Sequence, residues 1–407
     1  MANPYIQMQK IVASDSIASD FFGQTVAMSI HGNTLLIGAP SAASNEGKAY
    51  FYAYNNSSWT LEQIIAGPDA MGSFGYSISL ASHGETALIT SPVTPLSPGT
   101  GLAHVYTHSD SGWTLQETLS DTLVENFASS SALSGDGNTA IIGGSASSLF
   151  SIFSFIDEAW QFEAQITPGY GVNALALDHY GNVALVGNTS SANVSAYYKT
   201  SDWSTPTTFA GSDTTSSDGF GHSVALSRTS HPLTAIVGAP NKNYNRGAAY
   251  IFIFSDSNWI QQAKLVASDG FLGDQFGQSV SISGDGKTAL VGATTAPNSS
   301  LSANKAYIFQ NNNGTWSQVQ SLQLPQNEMA FNFGYSTALT GDGLIGLVGA
   351  PGYLSDQGSA YIFQASPSNT ASPTSQNSIT PHMPLILTLL TLIQTGISAC
   401  FLYDLLD

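Results

Sequence analysis

The sequence predicts an all-β protein, a seven-bladed β-propeller of four-stranded blades closed by its own N-terminal strand. Three observations predict it. The stretch FGQSVSISGDGKTALVGA at 276–293 recurs as FGQTVAMSIHGNTLLIGAP at 22–40, FGHSVALSRTSHPLTAIVGAP at 220–240 and FGYSTALTGDGLIGLVGAP at 333–351. Weaker copies begin at Phe74 and Phe127, and a degenerate one lies near Tyr170. All six tryptophans (Trp59, Trp113, Trp160, Trp203, Trp259 and Trp316) recur roughly every 50 residues, the period of a four-stranded blade. Finally, YIQMQKIVASD at 5–15 matches WIQQAKLVASD at 259–269, with Tyr5 where Trp259 stands.

Each element of a blade follows from local chemistry. QSVSIS alternates as an inner strand, GDG turns tightly, and KTALVGA is the second strand. Pro40, Pro92, Pro240 and Pro351 end that second strand, because proline cannot donate to the ladder. The third strand is an aromatic run such as AYIF, and the fourth starts at the tryptophan. The N-terminal segment supplies the outer strand of the last blade, so the ring leaves no open interior edge. The propeller is expected over 1–364 as a monomeric ring.

Composition agrees and narrows function. Of 407 residues, 39 are Gly and 11% aromatic, while only 9% are charged, which favours many short strands. Nine basic residues face 27 acidic ones, a formal charge of −18 with no Lys/Arg cluster, so nucleic acid is not an expected partner. Cys400 is the only cysteine, which leaves no disulfide framework and no Cys-based zinc site.

Several motifs mimic active sites. Gly286-Lys287-Thr288 resembles the end of a phosphate loop, but position 281 is Ser and a strand follows rather than a helix. Gly221-His222-Ser223-Val224-Ala225 nearly spells a nucleophile elbow, yet Ser223 is the repeat equivalent of Thr25, Ser77 and Ser279. His31, His83 and His231 occupy the hairpin position held elsewhere by Asp136, Asp285 and Asp342, and His104 replaces a strand tyrosine. No convergent set of His, carboxylate and Arg residues is legible, and no catalytic residue is expected.

The Phe-Gly pairs Phe22-Gly23, Phe74-Gly75, Phe220-Gly221, Phe276-Gly277 and Phe333-Gly334, followed in most copies by Gly-Ala-Pro, resemble the FG-GAP repeat of integrin alpha-subunit propellers. The segment from Trp259 to Asp269 is similar to that of bacterial-type members. Long loops at 91–101, 241–247 and 294–305 interrupt otherwise regular blades, and loops on a rigid scaffold commonly carry recognition. Integrin repeats often carry a calcium loop at the inner hairpin, and a hard cation needs several oxygen ligands there. Here the first and last ligand positions are Ser281 and Ala289, with Ala132 and Ala140 or Ala27 and Leu35 in sister loops, so complete calcium loops are missing.

A second acidic pattern remains. Asp15 and Asp20, Asp213 and Asp218, and Asp269 and Asp274 share an Asp-x4-Asp spacing between blades. Turn capping is the expectation, with a weak calcium surface as the alternative.

Residues 365–383 read as a Ser/Thr/Pro-rich linker, and 384–403, PLILTLLTLIQTGISACFLY, carry no charge and are long enough to span a bilayer, with an acidic tail at 404–407. Membrane association through this segment is expected, a cytosol-facing tail anchor being the simplest topology. A packed helix and a processed attachment signal are the alternatives. The functional expectation is a non-enzymatic scaffold that presents loops to a protein or glycan. A glycan-acting propeller enzyme and a structural surface protein without a ligand are the alternatives.

Overall fold

Glycine- and aspartate-bearing turns cut the chain into short strands, and these assemble into seven antiparallel four-stranded sheets. The structure, a computed structural model, describes residues 4–366 apart from 69–71, 93–100, 146–147, 201–202, 204–205, 230–231, 295–303 and 325–329. Blade one comprises Thr25–Met28, Thr34–Ala39, Lys48–Asn55 and Ser58–Ala66, from the inner strand outward. Blades two to six follow in chain order, with inner strands Ile78–Leu80, Ser130–Leu133, Ala174–Leu177, Ser223–Leu226 and Phe276–Ile282. Blade seven takes Ser336–Leu339, Ile345–Ala350 and Ser359–Ala365 from the C-terminal side and Tyr5–Ile11 from the N-terminus.

That last pairing runs from Tyr5 opposite Ala365 to Ile11 opposite Ala360. Tyr5 is buried, and its hydroxyl donates to the Gly343 carbonyl at the inner hairpin. Trp59 Nε1 donates to the equivalent Gly32 carbonyl at 2.8 Å. Tyrosine can therefore replace tryptophan because its hydroxyl reaches the same acceptor. Glutamines then clasp the seam to both neighbours. Gln320 accepts from Tyr5 N at 2.7 Å and donates to Tyr5 O at 2.8 Å, while Gln9 exchanges the same pair of bonds with Trp59 at 3.0 and 2.8 Å.

There is no single central core. Seven apolar clusters lie one at each interface between successive blades, as where Leu347 and Ile362 of blade seven meet Leu35 and Ile37 of blade one. The repeat phenylalanines sit in these interfaces. Phe22, Phe74, Phe220, Phe276 and Phe333 are fully buried, and Phe22 meets Tyr50 edge-on at 5.0 Å.

The two glycines of the repeat solve one steric problem from both sides. Gly23, Gly75, Gly221, Gly277 and Gly334 all have φ between +88° and +95°, a region that only glycine enters cheaply. The carbonyl of each then lies against the second-strand glycine of the preceding blade. A Cβ on Gly292 would meet Gly334 O at 1.9 Å, and one on Gly38 would meet Gly75 O at 2.3 Å. In the weaker third copy Ala128 stands in the Gly23 position and still adopts φ +72°.

Blade four departs from the expected pattern. Its outer strand is only Thr207–Phe209, and Trp203 lies ahead of it in an isolated bridge with Lys199. The expected start of the fourth strand at the tryptophan therefore holds elsewhere but not here. Within the described residues no helix is long and apolar enough to cross a membrane. The segment at 384–403 lies outside the described residues, as does the linker from 367 onward.

Strand direction gives the ring two faces. The inner and outer hairpins emerge on one, the hairpin face. The blade-to-blade junctions and the loops between second and third strands emerge on the other, the junction face.

Candidate functional site

The active-site look-alikes are structural. Asp285 Oδ1 accepts from Ser283 Oγ at 2.5 Å and from Lys287 N at 3.0 Å, which caps the turn and leaves Lys287 exposed. Asp136 and Asp342 cap their hairpins in the same way. Ser223 Oγ donates to Gly277 O of the next blade at 2.9 Å. Thr25, Ser279 and Ser336 make the equivalent bond to Gly75, Gly334 and Gly23, so this hydroxyl joins blades. His104 is buried in blade two, 3.2 Å from Thr118 Oγ1, while His231 lies outside the described residues.

The Asp-x4-Asp pairs divide their labour. The first aspartate reaches the third-strand tyrosine of the next blade and a lysine beside it, on the third strand for Asp15 and Asp269 and on the fourth for Asp213. Asp15 accepts from Tyr50 Oη at 3.0 Å and Lys48 Nζ at 2.7 Å, Asp213 from Tyr250 Oη and Lys264 Nζ at 2.6 Å each, and Asp269 from Tyr307 Oη and Lys305 Nζ. The second is buried and caps its own loop. Asp20 accepts from Ile17 N, Asp218 from Thr215 N and Asp274 from Phe271 N, at 2.7 to 2.8 Å. Carboxylates engaged by lysine and tyrosine are poor cation ligands. Among the described residues no group of three His, Cys, Asp or Glu side chains could hold a metal ion.

Asp218 also bonds Lys242 Nζ at 3.0 Å, and both side chains are nearly buried. Burial alone would raise its pKa, but the Lys242 and Thr215 hydrogen bonds outweigh it and hold the carboxyl below its usual 3.8. A lowered folded-state value adds stability above the unfolded pKa and loses it as pH falls through the folded one. Asp218→Asn is accordingly expected to cost about 2 kcal/mol at pH 7, with the gap from wild type narrowing below about pH 4. Urea melts at pH 7 and pH 3 check this, and an equal gap at both would show that the ion pair is not the cause.

The inner strands enclose a central channel of about 260 Å³. Every blade contributes a Leu, Ile or Met to a collar around it, from Met28 in blade one to Leu339 in blade seven. Beyond the collar, at the hairpin end, backbone bonds link neighbouring blades, with Gly341 N bonded to Ile30 O at 2.7 Å, Ile30 N to Ser82 O at 2.8 Å and Ser82 N to Gly135 O at 2.7 Å. One position of this rim breaks the repeat. It is glycine in three blades (Gly135, Gly284, Gly341), Ile30, Ser82 and His179 in three more, and Arg228 in blade five. Arg228 crosses the channel to blade two, donating from Nη1 to Ser82 Oγ at 3.3 Å and from Nη2 to Leu80 O at 3.1 Å. His179 Nδ1 lies 3.3 Å from the same hydroxyl.

Arg228 and His179 thus meet at Ser82 on one rim, a grouping without a carboxylate that the sequence reading did not single out. Aligning all seven hairpins by position carries the signal. Arg228 is walled in by the channel, and desolvation lowers its pKa to about 10, so it stays protonated at neutral pH.

The junction face exposes large apolar side chains. Ile17, Leu123, Tyr244, Phe271, Leu272 and Leu354 are all more than half exposed, with Tyr244 at 87%. Their loops are tied in pairs, Gln275 N to Asn245 O at 2.8 Å and Ser19 N to Ser355 O at 3.1 Å, so the loop of Tyr244 adjoins that of Phe271 and Leu272, and the loop of Leu354 adjoins that of Ile17. Of the long loops 91–101, 241–247 and 294–305, the second is described in full and holds Tyr244. Residues 93–100 and 295–303 of the other two lie outside the described residues.

The FG-GAP repeat model matches residues 5–52, 203–252 and 259–309. The chain matches no curated protein. Propellers of this family are commonly interaction scaffolds and are generally not enzymes. The chain is thus a closed β-propeller of seven four-stranded blades that carries FG-GAP repeats in three matched segments.

Proposed function

We propose that the protein is a non-enzymatic scaffold that binds a protein partner through the junction face. The carrying observation is the exposed apolar set at Tyr244, Phe271 and Leu272 on two loops held together by backbone bonds. Water-exposed Tyr and Phe on rigid loops favour burial against a complementary protein surface. The chain's acidic balance favours a cationic partner. A membrane tether through 384–403 belongs to the same reading, and protease protection of the propeller in sealed membranes tests that part separately.

The triple variant Tyr244→Ser, Phe271→Ser, Leu272→Ser is expected to melt within a few degrees of wild type and to lose its cross-linked partner in cells. A matched pair on the hairpin face, Tyr180→Ser and Leu344→Ser, is expected to retain it. Loss from the hairpin variant alone would assign recognition to the other face. Retention by both variants, with selective binding on a glycan array, would make the ligand a sugar.

A further inference from the structure

We infer that the central channel is a binding site for a small aliphatic carboxylate, with Arg228 as its charge partner. Five lysines of this chain sit on carboxylates: Lys48, Lys199, Lys242, Lys264 and Lys305. Arg228 has no carboxylate within salt-bridge distance among the described residues, although the channel walls strip water from it. A guanidinium carries five donors, and the bonds to Ser82 and Leu80 use two. Enclosing a charge without a counter-charge is costly, and a bidentate carboxylate is its best geometric match.

The rest of the channel indicates what the carboxylate is attached to. The collar next to Arg228 is wholly apolar and takes one Leu, Ile or Met from each blade. A volume of about 260 Å³ admits a small molecule and not a folded chain. Further along, Ser281 and Thr337 of adjoining blades line the same channel, and their hydroxyls are buried without a hydrogen-bond partner. Ser281 is only 8% exposed, and every sister blade except blade two carries alanine at its position. These hydroxyls offer the ligand body a polar contact that the folded chain leaves unmade.

The bulk of the protein opposes such a ligand, since its formal charge is −18. Preference for an anion would therefore come from one local cation. The C-terminal segment cannot supply it, because no Lys or Arg follows Lys305.

Titration calorimetry on the full chain with octanoate and octanol tests the assignment. Octanoate is expected to bind at one site at least about tenfold more tightly than octanol, the difference reading the charge-assisted contact. Arg228→Met is expected to abolish that preference, while Arg228→Lys, which keeps the charge but not the fork, retains part of it. Equal binding of octanoate and octanol by the unmodified chain would overturn the proposal without any variant. A folded Arg228→Met protein that binds octanoate like wild type would overturn it as well.

Discussion

Deleting residues 1–12 is expected to lower the melting temperature by about 6–7 °C, corresponding to a loss on the order of 5 kcal/mol in a chain of this size. The strand Tyr5–Ile11 provides the whole outer edge of blade seven. Without it, Ser359–Ala365 becomes an edge with a row of unpaired backbone groups. Burial of Tyr5 and Ile11, each 3% exposed, is lost, along with two reciprocal glutamine clasps to blades six and one. Domain stabilities are on the order of 5–15 kcal/mol, so the loss takes a large fraction of the total. Adding a peptide of residues 1–15 to the deleted chain should restore part of the transition. A milder probe is Tyr5→Phe, which strands the Gly343 carbonyl at a cost of about 1–2 kcal/mol, whereas Tyr5→Trp should be close to neutral. An unchanged melt of the deletion would show that blade seven holds without its fourth strand.

Gly292→Ala is expected to destabilise the protein by about 3 kcal/mol or more, although alanine is chemically the smallest possible change. The backbone of Gly292 does not need glycine's freedom; the space does. A Cβ there would lie 1.9 Å from Gly334 O and 2.4 Å from Ser279 Oγ, and the first of these is backbone that cannot rotate away. Relief would require separating blades six and seven, which opens a packed interface. Gly314→Ala is the control. Its φ is +89° but nothing lies within 4 Å, so only the left-handed penalty of about 1 kcal/mol applies. If the two variants melt alike, close approach between blades is not what fixes this glycine.

Much of this arrangement was legible because repetition turns a weak signal into a strong one. A single Phe-Gly pair means little. Five in register, with Trp59 to Trp316 at matching intervals, fix both blade count and phase. The same alignment marks Ser223 as a repeat position shared with Thr25, Ser77 and Ser279, and the fold shows what it does there, donating to Gly277 O of the next blade. Repetition also hides what does not repeat. Arg228 meets Leu80 and Ser82 of a blade three places away around the ring, and no local pattern encodes that meeting. Three loops take a left-handed turn at Ala43–Asn45, Asn243–Asn245 and Leu354–Asp356 without a glycine among those residues. The carbonyls that follow, Glu46 O, Arg246 O and Gln357 O, accept from Phe74, Phe276 and Phe22 of the next blade, and that contact between blades overrides local preference. Trp203 looked like any other landmark, yet its strand is truncated, since a tryptophan marks the place of an outer strand but not its length.

The strand that closes the ring changes how growth of such a chain must be understood. The three segments matched by the family model, 5–52, 203–252 and 259–309, each begin at an outer strand or just ahead of one and stop in the third strand of the next blade. The matched unit is therefore out of phase with the blade, and each of the three segments straddles two blades. Duplicating or losing one unit would add or remove a complete joint together with the blade it serves, and it would leave the closure untouched. A ring built from such units needs no specialised end piece, and its two ends are only the first and last halves of one more ordinary joint.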